Sequence, residues 1–184
     1  MPRFVVLLRG VNVGKGNRVP MAEFKTLLED LGHTEVTTLL NSGNAVFSSA
    51  GRSTTRHAAA IAAALQHRLG VITPAVVKSA AELRTIIDAN PMPPPEADQS
   101  RFLVAFAADA ATLQALLPLQ SLAEAPERFV VTDVAAFLHC PQGLLQSRVG
   151  EALLGKVGKT VTTRNWATVL KLHALAGGPR GPAA

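Results

Sequence analysis

The side chains best suited to chemistry lie in two polar segments about 30 residues apart. The first follows the apolar run 4–8 and places Arg9, Asn12 and Lys15 among glycines. The second is the run Asn41-Ser42-Gly43-Asn44. Guanidinium, ammonium, amide and hydroxyl groups are the donors that bind a phosphate or a polar ring. We therefore predict a ligand-binding site made of Arg9, Asn12, Lys15, Asn41, Ser42 and Asn44.

The glycine-rich part of the first segment matches neither common nucleotide-binding motif. Gly10 and Gly14 are separated by three residues rather than four, and Gly16 stands where a Walker A motif needs Ser or Thr. Val19 occupies the third glycine position of the dinucleotide-binding pattern. What remains is a set of glycine amides beside cations, which is a general anion-binding arrangement.

A third candidate segment lies near the C-terminus, where the periodicity predicts a helix over 163–176 capped by a threonine. This places Arg164 and Asn165 at the positive end of the helix dipole, where a cation is disfavoured. Arg164 should therefore meet either a carboxylate or an anionic ligand. We add Arg164 and Asn165 to the candidate ligand-binding residues.

Enzymatic and metal-binding patterns are sparse. The five histidines lack the spacing of metal ligands, so we predict neither a metal site nor a cofactor. His139 and Cys140 are neighbours in a predicted strand, so their side chains should point to opposite faces. Catalytic residues are therefore not assigned, and whether the protein is an enzyme stays open.

Charge divides the 184-residue chain into three parts. Its net charge of +5 combines basic ends with an acidic middle. Residues 1–28 hold five basic side chains against one acid, and residues 147–184 hold six against one. If both ends share one face, that face attracts anions such as nucleic acid or a nucleotide. The chain has a single cysteine and lacks an apolar run long enough for a membrane span, so we expect a cytoplasmic protein with no membrane partner.

The first half is predicted to have the order βαββαβ. Strand 4–8 is followed by an amphipathic helix from Pro20 to Gly32, a hairpin over 35–40 and 45–48, a helix over 54–69 and a strand over 75–78. Ser79 and Glu82 match a capping box that begins a further helix, which should end near Asn90 because Pro91 follows.

The second half is predicted to repeat the order βαββ. Strand 102–106, helix 109–117 ending at Pro118, and a hairpin over 129–132 and 135–139 precede helices at 147–154 and 163–176, with a frayed tail from Gly177. The proline-rich segment 91–98 is the candidate linker. We therefore predict an α+β fold of two ferredoxin-like halves, residues 1–90 and 99–184, each an antiparallel sheet with helices on one face.

Four motifs in this order resemble the bacterial domain of unknown function 1697 family. They are Leu7-Leu8-Arg9-Gly10-Val11-Asn12-Val13-Gly14, Val19-Pro20-Met21, Asn41-Ser42-Gly43-Asn44, and Thr163-Arg164-Asn165-Trp166-x-Thr168-Val169-x-Lys171-Leu172. The resemblance implies two ferredoxin-like halves and implies no activity. The segment 143–148 departs from the family pattern, because it is more apolar and has Arg148 where lysine is common.

The first functional hypothesis is a protein that binds a phosphate-bearing ligand, nucleic acid or a nucleotide, on a basic face. Two alternatives stay open, an enzyme acting on a small anionic metabolite and a structural or partner-binding module. Nearly all of the eight aromatic side chains fall at core-like positions, so a base-stacking platform is not expected.

Overall fold

The computed structural model describes residues 1–177, so the predicted tail lies, apart from Gly177, outside the described residues. The strands are β1 (Arg3–Leu8), β2 (Thr34–Leu39), β3 (Asn44–Ser48), β4 (Ala75–Ser79), β5 (Phe102–Phe106), β6 (Arg128–Val131), β7 (Ala136–His139) and β8 (Thr162–Asn165). The α-helices are α1 (Met21–Asp30), α2 (Thr54–Leu69), α3 (Ala80–Asp88), α4 (Ala110–Gln114), α5 (Arg148–Leu154) and α6 (Trp166–Leu175). Short 3₁₀ segments occupy Glu96–Arg101, Leu117–Leu122 and Leu144–Gln146.

Two four-stranded antiparallel sheets form the framework. The strand order is β2-β3-β1-β4 in the first sheet and β6-β7-β5-β8 in the second, so the same order occurs twice. This repetition confirms the predicted α+β fold with two ferredoxin-like halves. In the first sheet Leu7 lies opposite Asn44 of β3, and Leu8 lies opposite Ala75 of β4.

In the first half, capping residues determine where helices α2 and α3 begin and where α2 ends. The Ser53 hydroxyl accepts a hydrogen bond from the Arg56 amide to begin α2, and Gly70 ends this helix in the left-handed conformation. The predicted capping box is confirmed at α3. There the Ser79 amide donates to Glu82 Oε2 at 2.7 Å, and the Glu82 amide donates to Ser79 Oγ at 3.1 Å.

The second half differs from prediction at its end. Residues 163–165, predicted to begin the last helix, belong to strand β8, in which Arg164 lies opposite Val104 of β5. The helix begins at Trp166, and its cap is Asn165, whose Oδ1 accepts from the Thr168 amide at 2.9 Å. The predicted threonine cap was therefore wrong. The β-branched pair Thr162-Thr163 favours a strand, and pairing with β5 supplies the hydrogen bonds that a helix would otherwise provide.

Pro118 also differs from its predicted role. It was expected to end a helix that extended to residue 117, but α4 ends at Gln114 and Pro118 lies inside the 3₁₀ segment Leu117–Leu122. Proline has no amide to donate, and it is tolerated in the first turn of a helix because the amides there have no intrahelical acceptor. Pro118 thus begins a new helical turn rather than ending one.

Each half has its own apolar core. In the first half, Phe4, Val6 and Leu8 on one face of β1 pack with side chains of α1 and α2, among them Phe24 and Ile61. In the second, β5, β6 and β7 pack against α4 and α5. None of the helices within residues 1–177 is long and apolar enough to cross a membrane.

Contacts between residues group the chain into two compact units. Among the described residues, the first contains Met1–Arg84 and residues 171–177, and the second contains Thr85–Leu170. The predicted linker over 91–98 and the halves 1–90 and 99–184 stay a prediction from sequence.

A pair of histidines lies in the core of the first half. His33 is buried and stacks on Phe47, with ring centroids 4.2 Å apart, and the His57 ring lies 5.0 Å away at 81°. His57 Nε2 is 3.0 Å from the carbonyl oxygen of Gly51, whereas neither ring nitrogen of His33 has a hydrogen-bond partner among the described residues. Burial, and next the nearby His57, lower the pKa of His33, because both disfavour the charged imidazolium.

This environment predicts acid sensitivity. His33 takes up a proton below about pH 6.5 in the unfolded chain but only at lower pH in the folded one. The free energy of unfolding should therefore fall as the pH drops below about 6.5, by at most about 1.4 kcal/mol per pH unit for this residue. Urea unfolding should be measured at neutral pH and near pH 5.5. Between these pH values the free energy of unfolding should decrease less for His33→Phe than for the unmodified protein. Replacement of the exposed His67 by Gln should leave the loss unchanged, and equal losses in all three proteins would contradict the prediction.

Candidate functional site

The two polar segments of the first half lie at one edge of its sheet. β1 and β2 run in the same direction because each is antiparallel to β3. Their C-terminal ends, Leu8 and Leu39, therefore lie at the same edge, where β3 and β4 begin. The Leu8 amide donates to the carbonyl oxygen of Gly43 at 2.9 Å, which joins the end of β1 to the turn before β3. The structure thus brings the two segments together as the predicted topology requires.

Residues 9–20, which we name the basic loop, are fixed by Asn12. Its Nδ2 donates to the carbonyl oxygens of Val19 and Asn41, each at 2.8 Å, and its Oδ1 accepts from the Val19 amide at 2.9 Å. The backbone amide of Asn12 donates to the carbonyl oxygen of Asn17 at 3.0 Å. One side chain therefore closes the loop on itself and ties it to the turn over 40–43. Asn12 acts by positioning the loop, since its amide group is engaged by these three contacts.

Several residues at this edge have a left-handed backbone conformation, with a positive φ angle. In the basic loop, Gly10, Asn12, Gly14 and Asn17 have φ values between 49° and 63°. Glycine and asparagine adopt this conformation most readily. Gly43 has φ of 82°, and a Cβ atom there would lie 2.7 Å from both Leu8 Cβ and Val11 Cγ2. The turn can therefore approach β1 only because position 43 has no side chain.

Three cations follow one another on the basic loop. Arg9 is half-buried, its carbonyl oxygen accepts from the Thr73 hydroxyl, and desolvation lowers its pKa from the ordinary arginine value. An arginine remains charged at neutral pH despite such a shift. Lys15 and Arg18 are exposed, and Arg18 Nη2 donates to Gly14 O at 3.1 Å. The sequence has no acid between Arg9 and Glu23 of α1, so the loop itself carries only positive side chains.

The turn residues fall into two groups. Asn41 and Ser42 are exposed at the edge, and Asn41 presents its carbonyl oxygen to Asn12. Asn44 is fully buried, and its Nδ2 donates to Leu39 O at 3.1 Å, which closes the turn from the inside. The side chains of Asn41 and Ser42 are thus accessible to a ligand, whereas that of Asn44 supports the turn.

Arg164 and Asn165 lie in the second half and have structural partners there. Arg164 is only 8% exposed, and its Nη1 donates to Thr162 Oγ1 at 2.7 Å and to Thr163 O at 2.8 Å. Desolvation by burial lowers its pKa to about 10. Because Arg164 is on a strand, the argument that placed it at a positive helix end does not apply. Asn165 is the cap of α6.

The second half contains a small pocket that sequence reasoning missed. Its volume is about 110 Å³. Its walls include Leu122, Glu124, Pro126, Glu127, Cys140, Gly143, Gln146 and Arg148. Arg148 Nη1 lies 3.8 Å from Glu124 Oε1, and both side chains are exposed. The departure of segment 143–148 from the family pattern was the one sequence signal near this pocket, because that segment forms part of its wall.

Cys140 lies in this pocket wall as a buried thiol. Its Sγ is 3.2 Å from Arg101 O, to which the thiol donates. Burial, followed by the nearby Glu127 carboxylate, raises the pKa of the Cys140 thiol. Both effects disfavour the thiolate, which is the nucleophilic form. His139 on the other face of the strand lies 3.1 Å from Asp98 Oδ2, so the two neighbours do not form a catalytic pair.

The fold and the edge together define an α+β protein of two ferredoxin-like halves, with a basic loop fixed at one sheet edge. The chain belongs to the family described as Protein of unknown function (DUF1697), whose profile matches residues 1–137. This confirms the resemblance noted in the sequence. The fourth motif, at 163–172, lies beyond the matched region.

A solved structure shows the same fold. A conserved bacterial protein from Streptococcus pneumoniae is similar over 95% of this chain and 98% of its own, with 22% identity and a TM-score of 0.77. At this identity the similarity concerns the fold alone. The comparison with curated proteins gave no significant match.

The role of Asn12 can be tested with Asn12→Asp. This change keeps the Oδ1 acceptor but faces the carbonyl oxygens of Val19 and Asn41 with a second oxygen instead of a donor. Loss of the donor leaves one partly buried acceptor, Val19 O, and one exposed acceptor, Asn41 O, and should lower the free energy of unfolding by about 1–3 kcal/mol. Urea denaturation measures the change.

Asn17→Asp is the matched control, since it makes the same chemical change in the same loop at an exposed side chain. It should alter the free energy of unfolding by less than about 0.5 kcal/mol. Equal effects of the two substitutions would show that added charge, and not the Asn12 contacts, is responsible.

The environment of Cys140 predicts slow alkylation. At pH 8 the folded protein should react with iodoacetamide at least about tenfold more slowly than the protein in urea, because the thiol is buried and its pKa is raised. A variant with Cys140→Ser and Leu145→Cys should react at the same rate in both conditions, since position 145 is fully exposed. Mass spectrometry follows both reactions. Rapid labelling of folded Cys140 would contradict the prediction.

Proposed function

We propose that the basic loop and the adjoining turn bind a phosphate-bearing ligand, nucleic acid or a nucleotide, in the cytoplasm. The observation that carries this proposal is the fixed loop itself. Asn12 bonds the loop to the turn, and the loop holds Arg9, Lys15 and Arg18 at one edge of the sheet. Cations held on a fixed backbone bind anions with less loss of conformational entropy than cations on a mobile chain.

The surrounding charge supports an anionic ligand. The first 28 residues hold five basic side chains against Glu23 alone. The basic loop leads directly into α1, and Pro20 at the N-cap provides no side-chain hydrogen bond to the first turn. The partial positive charge of the helix N-terminus therefore adds to that of the loop. Glu23 in this turn offsets part of the effect, so the side-chain cations carry most of the attraction.

The aromatic residues restrict how such a ligand is recognised. The seven phenylalanines and Trp166 are buried in the cores, and the chain has no tyrosine. Bases therefore do not stack on aromatic side chains of this protein, and phosphate contacts provide most of the affinity.

The candidate residues divide by role within this proposal. Arg9, Lys15 and Arg18 contact phosphate, and Asn41 and Ser42 donate hydrogen bonds to the ligand. Asn12 and Asn44 position the loop and the turn through their own contacts. Arg164 and Asn165 are engaged in the structure of the second half and contribute no direct contact.

The proposal predicts a salt-dependent interaction that Lys15 and Arg18 support. Binding to a fluorescein-labelled single-stranded RNA is measured by anisotropy between about 50 and 200 mM salt. The logarithm of the association constant should decrease linearly with the logarithm of the salt concentration. The double variant Lys15→Ala, Arg18→Ala should make this slope shallower by about 1.4, because each phosphate contact to a single strand contributes about 0.7.

Arg52→Ala with Arg56→Ala is the matched control. It removes the same charge from the first turn of α2 and the segment just before it, which follow the C-terminal end of β3 and thus lie at the opposite edge of the sheet. The control should keep the original slope. An equal decrease of the slope in both double variants would show that net charge, and not the position of Lys15 and Arg18, causes the effect. Absence of binding at the lowest salt would overturn the proposed function.

A further inference from the structure

We infer that the ligand of this edge is a single-stranded nucleic acid whose bases lie against three exposed aliphatic side chains, Val13, Leu40 and Ile72. This inference rests on the proposed function and specifies its ligand. It depends on apolar groups, whereas the proposed function depends on cations, so the two can be tested separately.

The three aliphatic side chains are exposed among the cations. Val13 is 71% exposed, Leu40 55% and Ile72 75%. Val13 follows Asn12, and Leu40 precedes Asn41, so the Asn12–Asn41 hydrogen bond holds their backbones close together. Ile72 precedes Thr73, whose hydroxyl donates to the carbonyl oxygen of Arg9. The loops at one edge of the sheet therefore carry both exposed apolar side chains and cationic side chains.

The backbone conformation of Leu40 is unfavourable for leucine. Its φ is 58°, in the left-handed region, where a Cβ atom is crowded by the following carbonyl oxygen. Asparagine or glycine would fit this position better, and either would be more soluble at an exposed site. The protein thus holds an apolar side chain in solvent on a backbone that disfavours it. A ligand contact by Leu40 gives a physical reason for this combination.

The length of the edge fits several nucleotides. Leu40 follows β2 and Ile72 precedes β4, and these are the outer strands of the order β2-β3-β1-β4. Three interstrand spacings separate them, which is about 14 Å. Bases that contact these side chains are not stacked on one another and lie farther apart than the stacked rise of about 3.4 Å, so this distance spans more than one nucleotide but fewer than about four. A mononucleotide has one base and can reach only part of the edge.

A single strand combines the two chemistries that the edge displays. It repeats an anionic phosphate and an apolar base face at every nucleotide, whereas a duplex covers its base faces by stacking. The edge offers Arg9, Lys15 and Arg18 to the phosphates, and Val13, Leu40 and Ile72 to the bases. An acidic protein segment would also meet the cations, but it supplies apolar groups only where its sequence happens to contain them.

The test compares ligands on the full-length protein by anisotropy at low salt. The probes are a labelled strand of about 12 nucleotides, the duplex that it forms with its complement, and a labelled polyglutamate peptide; uridine monophosphate is the competitor. The strand should bind at least about tenfold more tightly than the duplex, and millimolar mononucleotide should displace it poorly. Polyglutamate binding that equals strand binding would overturn the inference in favour of an acidic protein partner.

Three variants test the apolar contacts. Val13→Ser with Ile72→Ser should weaken strand binding about tenfold while the salt slope stays unchanged, because the phosphate contacts remain. Leu40→Asn should weaken it as well, and the variant should fold at least as stably because asparagine suits the left-handed conformation. Leu145→Ser removes an exposed aliphatic side chain from the second half and should have no effect.

The outcomes separate the inference from the proposed function. If the Lys15 and Arg18 variant lowers the salt slope but the aliphatic variants bind strand and duplex as the unmodified protein does, the inference fails and the proposed function holds. If neither nucleic acid binds at low salt, both fail. Thermal unfolding of each variant confirms that lost binding is not lost folding.

Discussion

The hydrogen bonds of the Asn12 side chain are the interaction on which the candidate site depends. Three contacts from one amide group hold the basic loop closed between residues 12 and 19 and fasten it to the turn at Asn41. The same contacts fix Val19, a buried residue just before Pro20 and α1. The entry into the first helix, the path of the loop and the position of the turn are therefore coupled through a single residue. A side chain that could only donate or only accept would satisfy part of this arrangement and leave the rest without a partner.

Much of the first half follows from sequence because its signals are local. The helix α2 begins with the Ser53 cap and ends at Gly70, and the capping box at Ser79 is readable from two residue types at the right spacing. The end of the second half does not follow, because β8 is four residues long and leads directly into α6. The apolar stripe after Trp166 has helical spacing, and local reasoning extends that helix backward. Only the long-range pairing of Thr162–Asn165 with β5 decides where the strand ends.

The candidate site was predictable in position but not in the role of each residue. The ferredoxin-like order places the ends of β1 and β2 at one edge, so the meeting of the basic loop and the turn could be inferred before any coordinates. Which of the polar side chains are exposed and which are buried could not be inferred from the sequence. Asn41 and Asn44 are the same residue type three positions apart, yet one is exposed and the other is fully buried with its amide on Leu39 O. Asn41 lies in the turn, whereas Asn44 is the first residue of β3, which is buried along its whole length, and lies opposite Leu7 of β1.

The edge combines a rigid backbone with side chains of different mobility, and this separates affinity from selectivity. Gly43 fits against Leu8 and Val11 with no space for a side chain, so the turn that presents Asn41 and Ser42 has little freedom to shift. Lys15, in contrast, extends from an exposed loop position and can follow a phosphate over several ångströms. Mobile cations attract any polyanion, because their charge acts over about a Debye length and tolerates many geometries. Within the proposed function, discrimination between anions must then come from the turn residues, whose backbone is held against β1.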